Sequence, residues 1–484
     1  MRHQLRLLTL PLCLIAAVSS GADLFHAKTS AASKSARAGE NEFRDLYREL
    51  VEINTTQSAG SCTKAAQAMQ ARLLKAGYAQ ENLHLIVPPN RPKDGNLVAE
   101  LKGTNAKLKP ILLLAHIDVV EARREDWQRD PFTLTEEDGY FYGRGAADDK
   151  AMAAVFTDAM ARFKREGYRP KRGIKMALTC GEETPNVFNG VEYLIQHHRP
   201  LIDAEFAINE GGGGRFDQQT TKYLYNGVQV GEKLYQDFTL ETTNKGGHSS
   251  RPTPDNAIYE LAQALIKIQA FEFPVEFNQT TRAYLQTFGD IVVGTQGADM
   301  KAAAQSQDPA AIARLEQDPT MNGMLHTTCV ATMIDGGHAP NALPQHVSAN
   351  VNCRIFPGHA PEEVRQTLIK VIGDENVKVS FQAPPETPGA PPQLTKQVMA
   401  PIEALTRDMF PGVPVLPTQA SGATDGRFLT PIGIPTYGVS GMFSDGATTN
   451  AHGLNERIRV QSLMEGREFL YRLTKMYADG REKP

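Results

Sequence analysis

Two histidines and three acidic residues of the chain stand beside short apolar segments. They are His116, Asp148, Glu183, Glu210 and His452. Side chains at the carboxyl ends of neighbouring parallel strands meet at one edge of a sheet, so we expect these groups to converge. Carboxylates at such close range repel one another unless cations lie between them. The pattern therefore predicts a site for two divalent metal ions, in which one carboxylate bridges the ions and each ion takes a further carboxylate and a histidine.

Mixed nitrogen and oxygen ligands at low coordination number suit zinc best, although cobalt or manganese could occupy the same site. Two metal ions about 3.5–4 Å apart can hold a water molecule and polarise a carbonyl group. Glu182, directly before Glu183, is not needed as a metal ligand in this arrangement. It can instead take the proton of that water as a general base. The residue types thus indicate metal-assisted hydrolysis.

His116 and Asp118 are separated by one residue at the end of a predicted strand. Alternate residues of a strand point the same way, so both side chains reach one site. A carboxylate beside a metal-binding histidine can fix the tautomer that the metal needs. A structural pair without a metal explains the same spacing, and both interpretations remain open at this point.

The segment Gly143–Lys150 combines two glycines with Asp148 and Asp149 just before a predicted helix. Glycine allows a tight turn, and carboxylates are favoured at a helix N-terminus. A simple helix cap is therefore the alternative to a metal ligand here. A phosphate-binding loop is excluded, because the P-loop spacing is absent and the acids would repel the anion.

The apolar segments alternate between strand-like and helix-like patterns. Continuous apolar runs predict buried strands over Ile111–Ala115, Ile174–Thr179 and Phe206–Ile208. Helical spacing predicts helices over Ala151–Phe163 and Val191–His197. This alternation indicates an α/β domain with a mostly parallel sheet and helices on both faces.

Further along the chain the pattern changes to a few antiparallel strands with two helices, which is typical of an α+β unit. The strands are predicted over Leu234–Thr243, Thr328–Ile334, Val347–Ile355 and Val377–Phe381, and the helices over Asp255–Ala270 and Pro361–Ile372. An Ala- and Gln-rich stretch, Asn278–Leu325, predicts additional helices inserted into this unit. We expect an α/β domain built from residues 42–230 and 386–484 and interrupted by an α+β domain over 231–385.

Residues 1–22 read as a secretory signal peptide, because charged residues precede the apolar run Leu7–Val18 and small residues follow it. The run is shorter than the roughly 20 residues of a membrane span, and a retained anchor is the alternative. Residues 23–41 are expected to be a disordered lead-in. The sequence thus predicts a secreted or periplasmic protein.

The composition is that of an ordinary globular protein. The 484 residues carry a formal net charge of −4, which gives no indication of nucleic acid or an anionic membrane as a partner. The cysteines after the predicted signal peptide are Cys62, Cys180, Cys329 and Cys353. Their wide spacing excludes a thiolate zinc knuckle and a C-x-x-C redox motif. Disulfides and buried free thiols both remain open.

Five short segments, in this order along the chain, resemble the M20 metallopeptidase family, which includes glutamate carboxypeptidase, succinyl-diaminopimelate desuccinylase and aminoacylase. The segments are AHIDVV, GRGAADDK, GEE, NEGG and AHGLNER. The resemblance covers nearly the whole chain from about Glu42 onward. The string NEGGG and the long stretch Asn278–Leu325 are more similar to the carboxypeptidase S-type branch.

The resemblance implies a role for each residue of the acidic cluster. It assigns His116 and Glu210 to one metal ion, Glu183 and His452 to the other, and Asp148 to the bridge between them. It further implies that Asp118 orients His116 and that Glu182 is the general base.

The α+β domain resembles the lid or dimerisation domain of that family. His248, in the string GGHSS, matches a histidine that stabilises the tetrahedral oxyanion, often from across a dimer interface. The residues that match positions holding the substrate carboxylate are Asn341, Arg354, Gly422 and Thr424. The guanidinium of Arg354 suits a bidentate grip on a carboxylate, although a salt bridge on the strand surface is the alternative.

The resemblance therefore implies a di-zinc metallohydrolase that cleaves an amide bond next to a free carboxylate. Carboxypeptidase, dipeptidase and N-acyl-amino-acid hydrolase activities all meet this description. The implied partners are a small peptide or N-acyl amino acid and a second copy of the chain, bound through the lid. A non-catalytic peptide-binding protein on the same scaffold and a purely structural acidic cluster are the alternatives.

Overall fold

The computed structural model describes residues 39–184, 187–385, 387–420, 422–445 and 449–484. The predicted signal peptide and residues 23–38 of the predicted lead-in lie outside these ranges. The first helix already begins at Glu40, slightly earlier than the predicted end of the lead-in. None of the described helices is both long enough and apolar enough to cross a membrane.

The helices and strands are numbered here in chain order over the described residues. The helices are α1 Glu40–Glu52, α2 Cys62–Lys75, α3 Lys150–Arg165, α4 Gly190–Ile202, α5 Ala257–Ala270, α6 Gln279–Ile291, α7 Thr295–Ser306, α8 Pro309–Leu315, α9 Pro319–Leu325, α10 Pro361–Ile372, α11 Lys396–Met409, α12 Gly426–Leu429 and α13 Val460–Asp479. The strands are β1 Leu83–Ile86, β2 Asn96–Leu101, β3 Ile111–His116, β4 Thr135–Glu137, β5 Tyr140–Tyr142, β6 Ile174–Thr179, β7 Ala207–Asn209, β8 Gly213–Asp217, β9 Lys222–Glu232, β10 Leu234–Thr243, β11 Gly247–His248, β12 Thr328–Gly336, β13 Ala342–Leu343, β14 His346–Ile355, β15 Lys378–Phe381, β16 Val415–Ala420, β17 Thr436–Gly438, β18 Phe443–Ser444 and β19 Arg457–Arg459.

The larger sheet has ten strands in the order β1-β2-β6-β3-β7-β17-β9-β8-β18, with β16 paired to β9. Strands β6, β3, β7 and β17 are parallel neighbours, whereas β1 and β2 continue the sheet antiparallel at one edge. Every residue of β3 and β6 is buried, as their continuous apolar runs predict. The prediction of a mostly parallel sheet is thereby confirmed.

Alternate residues of β3 enter two separate hydrophobic cores. Leu113 and Ala115 share a core with residues of α1, α2, α3, α11 and α13. Leu112 and Leu114 share another core with residues of α4 and α12. A strand covered on both faces needs apolar residues at successive positions, which explains the continuous run in the sequence. Helices cover both faces of the sheet, as predicted.

The smaller sheet is antiparallel, with the strand order β12-β14-β10-β15. Every second residue of β14 is buried, including Val347, Ala349 and Val351. These residues share a core with α5 and α10. The alternation is typical of a sheet that packs on one face only, and it agrees with the predicted α+β unit.

The helices α6–α9 pack on the larger sheet. Leu285 of α6 and Met300 of α7 share a core with Leu416 of β16 and with Tyr225 of β9. The helical prediction for this segment is confirmed, but its packing differs from the expectation that it belongs to the α+β unit. The physical reason is that β16 lies at the edge of the larger sheet, and these helices cover its apolar face.

Two disulfide bonds join the cysteines whose state the sequence leaves open. Cys62, the first residue of α2, is bonded to Cys180, which directly follows β6. Cys329 and Cys353 are bonded at opposed positions of β12 and β14. The structure thus has disulfides and not free thiols at these positions, and such bonds persist in oxidising compartments.

Loss of the Cys62–Cys180 bond should lower the free energy of unfolding by about 4–5 kcal/mol, because a cross-link across roughly 100 residues strongly restricts the unfolded chain. The bonded cysteines are 118 residues apart. The Cys62→Ala/Cys180→Ala variant would show this loss in urea unfolding followed by circular dichroism.

The Cys329→Ala/Cys353→Ala variant is the matched control, since its bond spans only 24 residues. It should lose about 3 kcal/mol, because a shorter loop restricts the unfolded chain less. Unfolding curves identical to that of the wild type in both variants would show that neither bond forms.

Candidate metal centre

Neighbouring parallel strands of the larger sheet carry the predicted metal ligands at their carboxyl ends. His116 is the last residue of β3, Glu183 lies in the loop after β6, and Glu210 directly follows β7. Because β6 and β7 flank β3, side chains at these strand ends meet at one edge. Asp148 reaches the same edge from the loop before α3, and His452 from the loop before β19.

His116 is a buried member of this cluster. Its Nε2 lies 3.1 Å from Oδ1 of Asp148 and 3.7 Å from Oε2 of Glu210. Its Nδ1 lies 3.1 Å from the backbone carbonyl oxygen of Asp118 and 3.7 Å from Oδ1 of the same residue. Asp118 can therefore hold a proton on Nδ1, which leaves Nε2 for a ligand in the cluster.

The carboxylate of Asp148 lies between the two histidines. Its Oδ1 faces Nε2 of His116 at 3.1 Å, and its Oδ2 faces Nε2 of His452 at 3.3 Å. Nε2 of His452 is also 2.9 Å from the carboxylate of Glu183. The two oxygens of one carboxylate thus face two separate imidazoles. A bridging carboxylate in a two-metal site has the same arrangement.

The donor atoms lie close enough together to share cations. Those of His116, Asp148 and Glu183 are within 4.8 Å of one another, and so are those of His116, Glu182 and Glu210. Imidazole and carboxylate donors in this combination fit Zn²⁺, and Co²⁺ and Mn²⁺ accept the same donors. The residues are therefore chemically suited to divalent metal ions.

The pKa values of three members of the cluster are shifted toward the protonated form. Burial, together with the negative charge of Glu210, raises the pKa of Glu182 to about 10. Burial also raises the pKa of Glu210, to about 7. Hydrogen bonds with Asp148 and Glu183 raise the pKa of His452 to about 10. All these shifts oppose the build-up of negative charge, and divalent cations would displace the protons.

Asp118 also fixes the loop that carries Glu182 and Glu183. Its Oδ1 accepts a hydrogen bond from the backbone N–H of Glu182 at 3.3 Å, and its Oδ2 accepts one from that of Glu183 at 3.0 Å. The side chain of Asp118 is buried. Asp118 thus contacts the ring of His116 through its backbone carbonyl and holds the Glu182 loop through its carboxylate, and only a role toward His116 was expected.

Two acids beside the cluster, the buried Asp425 and the half-buried Glu232, were not among the predicted residues. Asp425 accepts hydrogen bonds from Oγ1 of Thr179 at 3.1 Å and Nδ2 of Asn189 at 2.6 Å, and burial raises its pKa. Oε2 of Glu232 accepts the N–H of Thr424 at 2.8 Å, and burial raises the pKa of Glu232 to about 8. Glu232 ends β9, so the rule that polar residues follow strands would find it once β9 is recognised as a strand.

The residues predicted to act on the substrate are spread over more than one region. Within the ranges that the structure describes, no hydrogen bond or ion pair joins His248 to the cluster, and its exposed ring accepts the N–H of Ser250. Strand β11, which contains His248, pairs with β13, so Asn341 lies in the same corner of the smaller domain. Arg354 lies on β14, where its guanidinium stacks on the ring of Tyr235 at 4.6 Å.

A cavity lies between the larger sheet and the loop after β14. Its wall includes Glu210 and Thr424 together with the cationic residues Lys233 and Arg427. Gly422 has open space around its α-carbon. Glu210 thus belongs both to the cluster and to the wall of this cavity.

Comparison with known proteins gives matches over most of the chain. Residues 112–476 match the profile of Peptidase family M20/M25/M40. Human N-fatty-acyl-amino acid synthase/hydrolase PM20D1 is 27% identical over 77% of this chain and 75% of its own length. The probable carboxypeptidase S-like 2 of Dictyostelium discoideum is 27% identical over 78% and 74%. Aminoacylase-1 of Sus scrofa is 28% identical over 89% and 94%.

Solved structures share the fold. The M20 family metallo-carboxypeptidase Sso-CP2 of Sulfolobus solfataricus superimposes with a TM-score of 0.66 at 19% identity, over 90% of this chain and 99% of that one. The YXEP protein of Bacillus subtilis, described as a dinuclear metal binding peptidase from the M20 family, gives 0.59 at 13% identity, over 91% and 98%. Because the family profile matches most of its length, this chain belongs to Peptidase family M20/M25/M40 and is an enzyme of that family.

Proposed function

We propose that the protein is a di-zinc hydrolase that cleaves an amide bond next to a free carboxylate, in small peptides or N-acyl amino acids. The position of the Asp148 carboxylate, 3.1 Å from His116 and 3.3 Å from His452, is the observation that carries this proposal. The relatives named as an N-fatty-acyl-amino acid synthase/hydrolase and as an aminoacylase support N-acyl amino acids as one substrate class.

Two histidines and five carboxylates of the cluster have distinct tasks in this proposal. The proposed ligands are His116 and Glu210 for one zinc ion, Glu183 and His452 for the other, and Asp148 as the bridge. When bound, the two ions supply Lewis acid chemistry that polarises the amide carbonyl and lowers the pKa of water. Asp118 keeps the ring of His116 in the orientation that presents Nε2 to the cluster.

Glu182 is the proposed general base. Its donor oxygen lies within 4.8 Å of those of His116 and Glu210, and Asp118 fixes its backbone. As a carboxylate it takes a proton from the attacking water, and as a carboxylic acid it gives that proton to the amide nitrogen while the C–N bond breaks. Its burial favours acceptance of a proton, because burial disfavours the charged carboxylate.

The cavity beside Glu210 offers positive charge to a substrate carboxylate. Lys233 and Arg427 line it, and burial together with the charge of Arg354 lowers the pKa of Lys233 to about 8. An anion bound here would relieve the repulsion between these cations. Of the carboxylate contacts that the family resemblance implies, namely Asn341, Arg354, Gly422 and Thr424, Thr424 is the one that lines this cavity.

We further propose a homodimer formed through the smaller sheet. Its edge strand β12 exposes Val330, Met333 and Ile334, whose exposed fractions are 60%, 69% and 65%. An apolar edge strand of this kind is suited to pairing with a second chain. In such a dimer the exposed His248 of one chain is available to the oxyanion in the cluster of the other.

The enzyme is proposed to act outside the cytoplasm, as a secreted or periplasmic protein. The signal-like segment 1–22 and the two disulfide bonds support this location.

A hydrolysis screen tests the function. Zinc-loaded protein is incubated with dipeptides, peptides with a free carboxyl terminus and N-acyl amino acids, and should release new amines from at least one class. The same substrates with an amidated carboxyl group are the control and should react at least about 10-fold more slowly, because they lose the charged interaction. Exhaustive chelation should abolish the reaction, and added zinc should restore it. Binding without amine release would instead indicate a peptide-binding protein.

The Glu182→Gln variant should keep its metal ions but lose about 100- to 10,000-fold in turnover, because the amide cannot accept the proton. Metal content from atomic absorption and kcat on the best substrate of the screen provide the measurement. Glu81→Gln, at an exposed position, is the control and should behave like the wild type. Near-normal turnover of Glu182→Gln would remove Glu182 from the mechanism.

The Met333→Lys/Ile334→Lys variant should shift the protein from dimer to monomer in light scattering coupled to size exclusion. Two buried charges in the interface would oppose pairing of the edge strands. Val293→Lys, at a residue that is 92% exposed, is the control and should leave the dimer intact. A wild type that is already monomeric would contradict the proposed dimer.

A further inference from the structure

A single buried ion pair joins two loops that are far apart in the sequence. Nη1 of Arg144 donates to Oε2 of Glu456 at 2.7 Å, and the two side chains are only 3% and 1% exposed. Arg144 stands four residues before Asp148, and Glu456 four residues after His452. The pair thus connects the loop of the proposed bridging ligand with the loop of a proposed ligand of the second ion.

The carboxylate of Glu456 organises the loop that leads to Asp148. Its Oε1 accepts the backbone N–H groups of Ala147 at 2.8 Å and Asp148 at 3.0 Å. Its Oε2 accepts the N–H of Gly145 at 3.1 Å in addition to the guanidinium of Arg144. Charge-assisted hydrogen bonds to a buried carboxylate are strong, so they hold the backbone of Asp148 in place.

The guanidinium of Arg144 organises the other loop. Its Nη2 donates to the carbonyl oxygens of Gly453 at 3.0 Å and His452 at 3.5 Å. His452 has a φ of 63°, in the left-handed region that is uncommon for residues other than glycine. The ring of Trp127, 5.0 Å from the guanidinium carbon, covers Arg144 from another side. The backbone of His452 is therefore held by the same side chain that binds Glu456.

We propose that Arg144 and Glu456 are positioning residues that set the distance between Asp148 and His452 and thereby the affinity of the second metal site. Neither residue offers a donor atom to the cluster. His116 and Glu210, in contrast, are positioned by the ends of β3 and β7, so the first site depends on the pair only through the shared ligand Asp148, whereas the second site has both Asp148 and His452 held by it. This inference rests on the proposed two-metal function. It adds that the affinity of the second metal site depends more strongly on the Arg144–Glu456 pair than that of the first site does.

The test is a titration of the metal-free protein with Co²⁺, followed by visible absorption and by calorimetry. The wild type should bind two equivalents. In Arg144→Lys and in Glu456→Gln, the second equivalent should bind about 10- to 100-fold more weakly, as is typical when residues that orient metal ligands are changed. The first equivalent should lose clearly less affinity than the second, because Asp148 is the one ligand of the first site that the pair holds. The double variant should lose no more than the larger single loss, because the two residues act as one unit.

Arg467 provides a matched control elsewhere in the fold. Its Nε donates to Oδ2 of Asp158 at 2.7 Å, with side chains 1% and 4% exposed, and this pair joins α13 to α3. Arg467→Lys should lower stability without changing either metal affinity. Hydrogen exchange of the metal-free protein adds a readout without metal: residues 143–149 and 449–456 should exchange faster in Arg144→Lys but not in Arg467→Lys.

Unchanged affinities for both ions in Arg144→Lys would overturn the positioning role. Equal weakening of both sites, or the same loss in Arg467→Lys, would overturn it as well. If Glu456→Gln does not fold, the conservative variant Arg144→Lys and its exchange pattern decide alone. A wild type that binds fewer than two ions contradicts the two-metal function itself, which separates this failure from that of the positioning role.

Discussion

Repulsion among carboxyl groups gathered at one edge of the larger sheet is the constraint on which the rest of the structure depends. Asp425 is buried there and Glu182 and Glu210 are half-buried, and desolvation raises the pKa of each. An uncompensated buried charge costs several kcal/mol, so a fold can keep such a cluster only with protons or cations among the acids. The proposed function follows if cations compensate the acids, because divalent cations at this position can polarise the carbonyl group and activate water for amide hydrolysis.

The fold answers this constraint by fixing the segments that carry the acids. The loop with Glu182 is held by the carboxylate of Asp118, by the disulfide bond of Cys180 to Cys62, and by a hydrogen bond of 3.0 Å from the N–H of Cys180 to Asn96. These restraints act close to the proposed general base. They keep its carboxylate near the other donors although like charges would drive them apart.

The parts of the site that sequence predicts are those with a local signal. His116 and Glu210 each follow a short apolar run. The carboxyl ends of parallel strands lie at the same edge of the sheet, so these two side chains are expected to lie close together. Glu232 also ends a strand, but two glycines interrupt the apolar pattern of that strand, KYLYNGVQVGE, and hide it. Arg144 and Glu456 were not predicted as a pair, because an isolated charge in a loop is ordinarily solvated and only the fold brings the two loops together. The packing of α6–α9 was not predicted for a similar reason. The apolar residues of these helices show that one face is buried, but the surface that covers this face is set by the fold.

Diffraction from crystals of zinc-loaded protein, recorded at the zinc absorption edge, tests the central claim most directly. We predict two anomalous peaks about 3.5–4 Å apart, each beside one oxygen of Asp148, with His116 on one ion and His452 on the other. A single peak, or peaks remote from these residues, would contradict the claim that two cations hold the acidic cluster together.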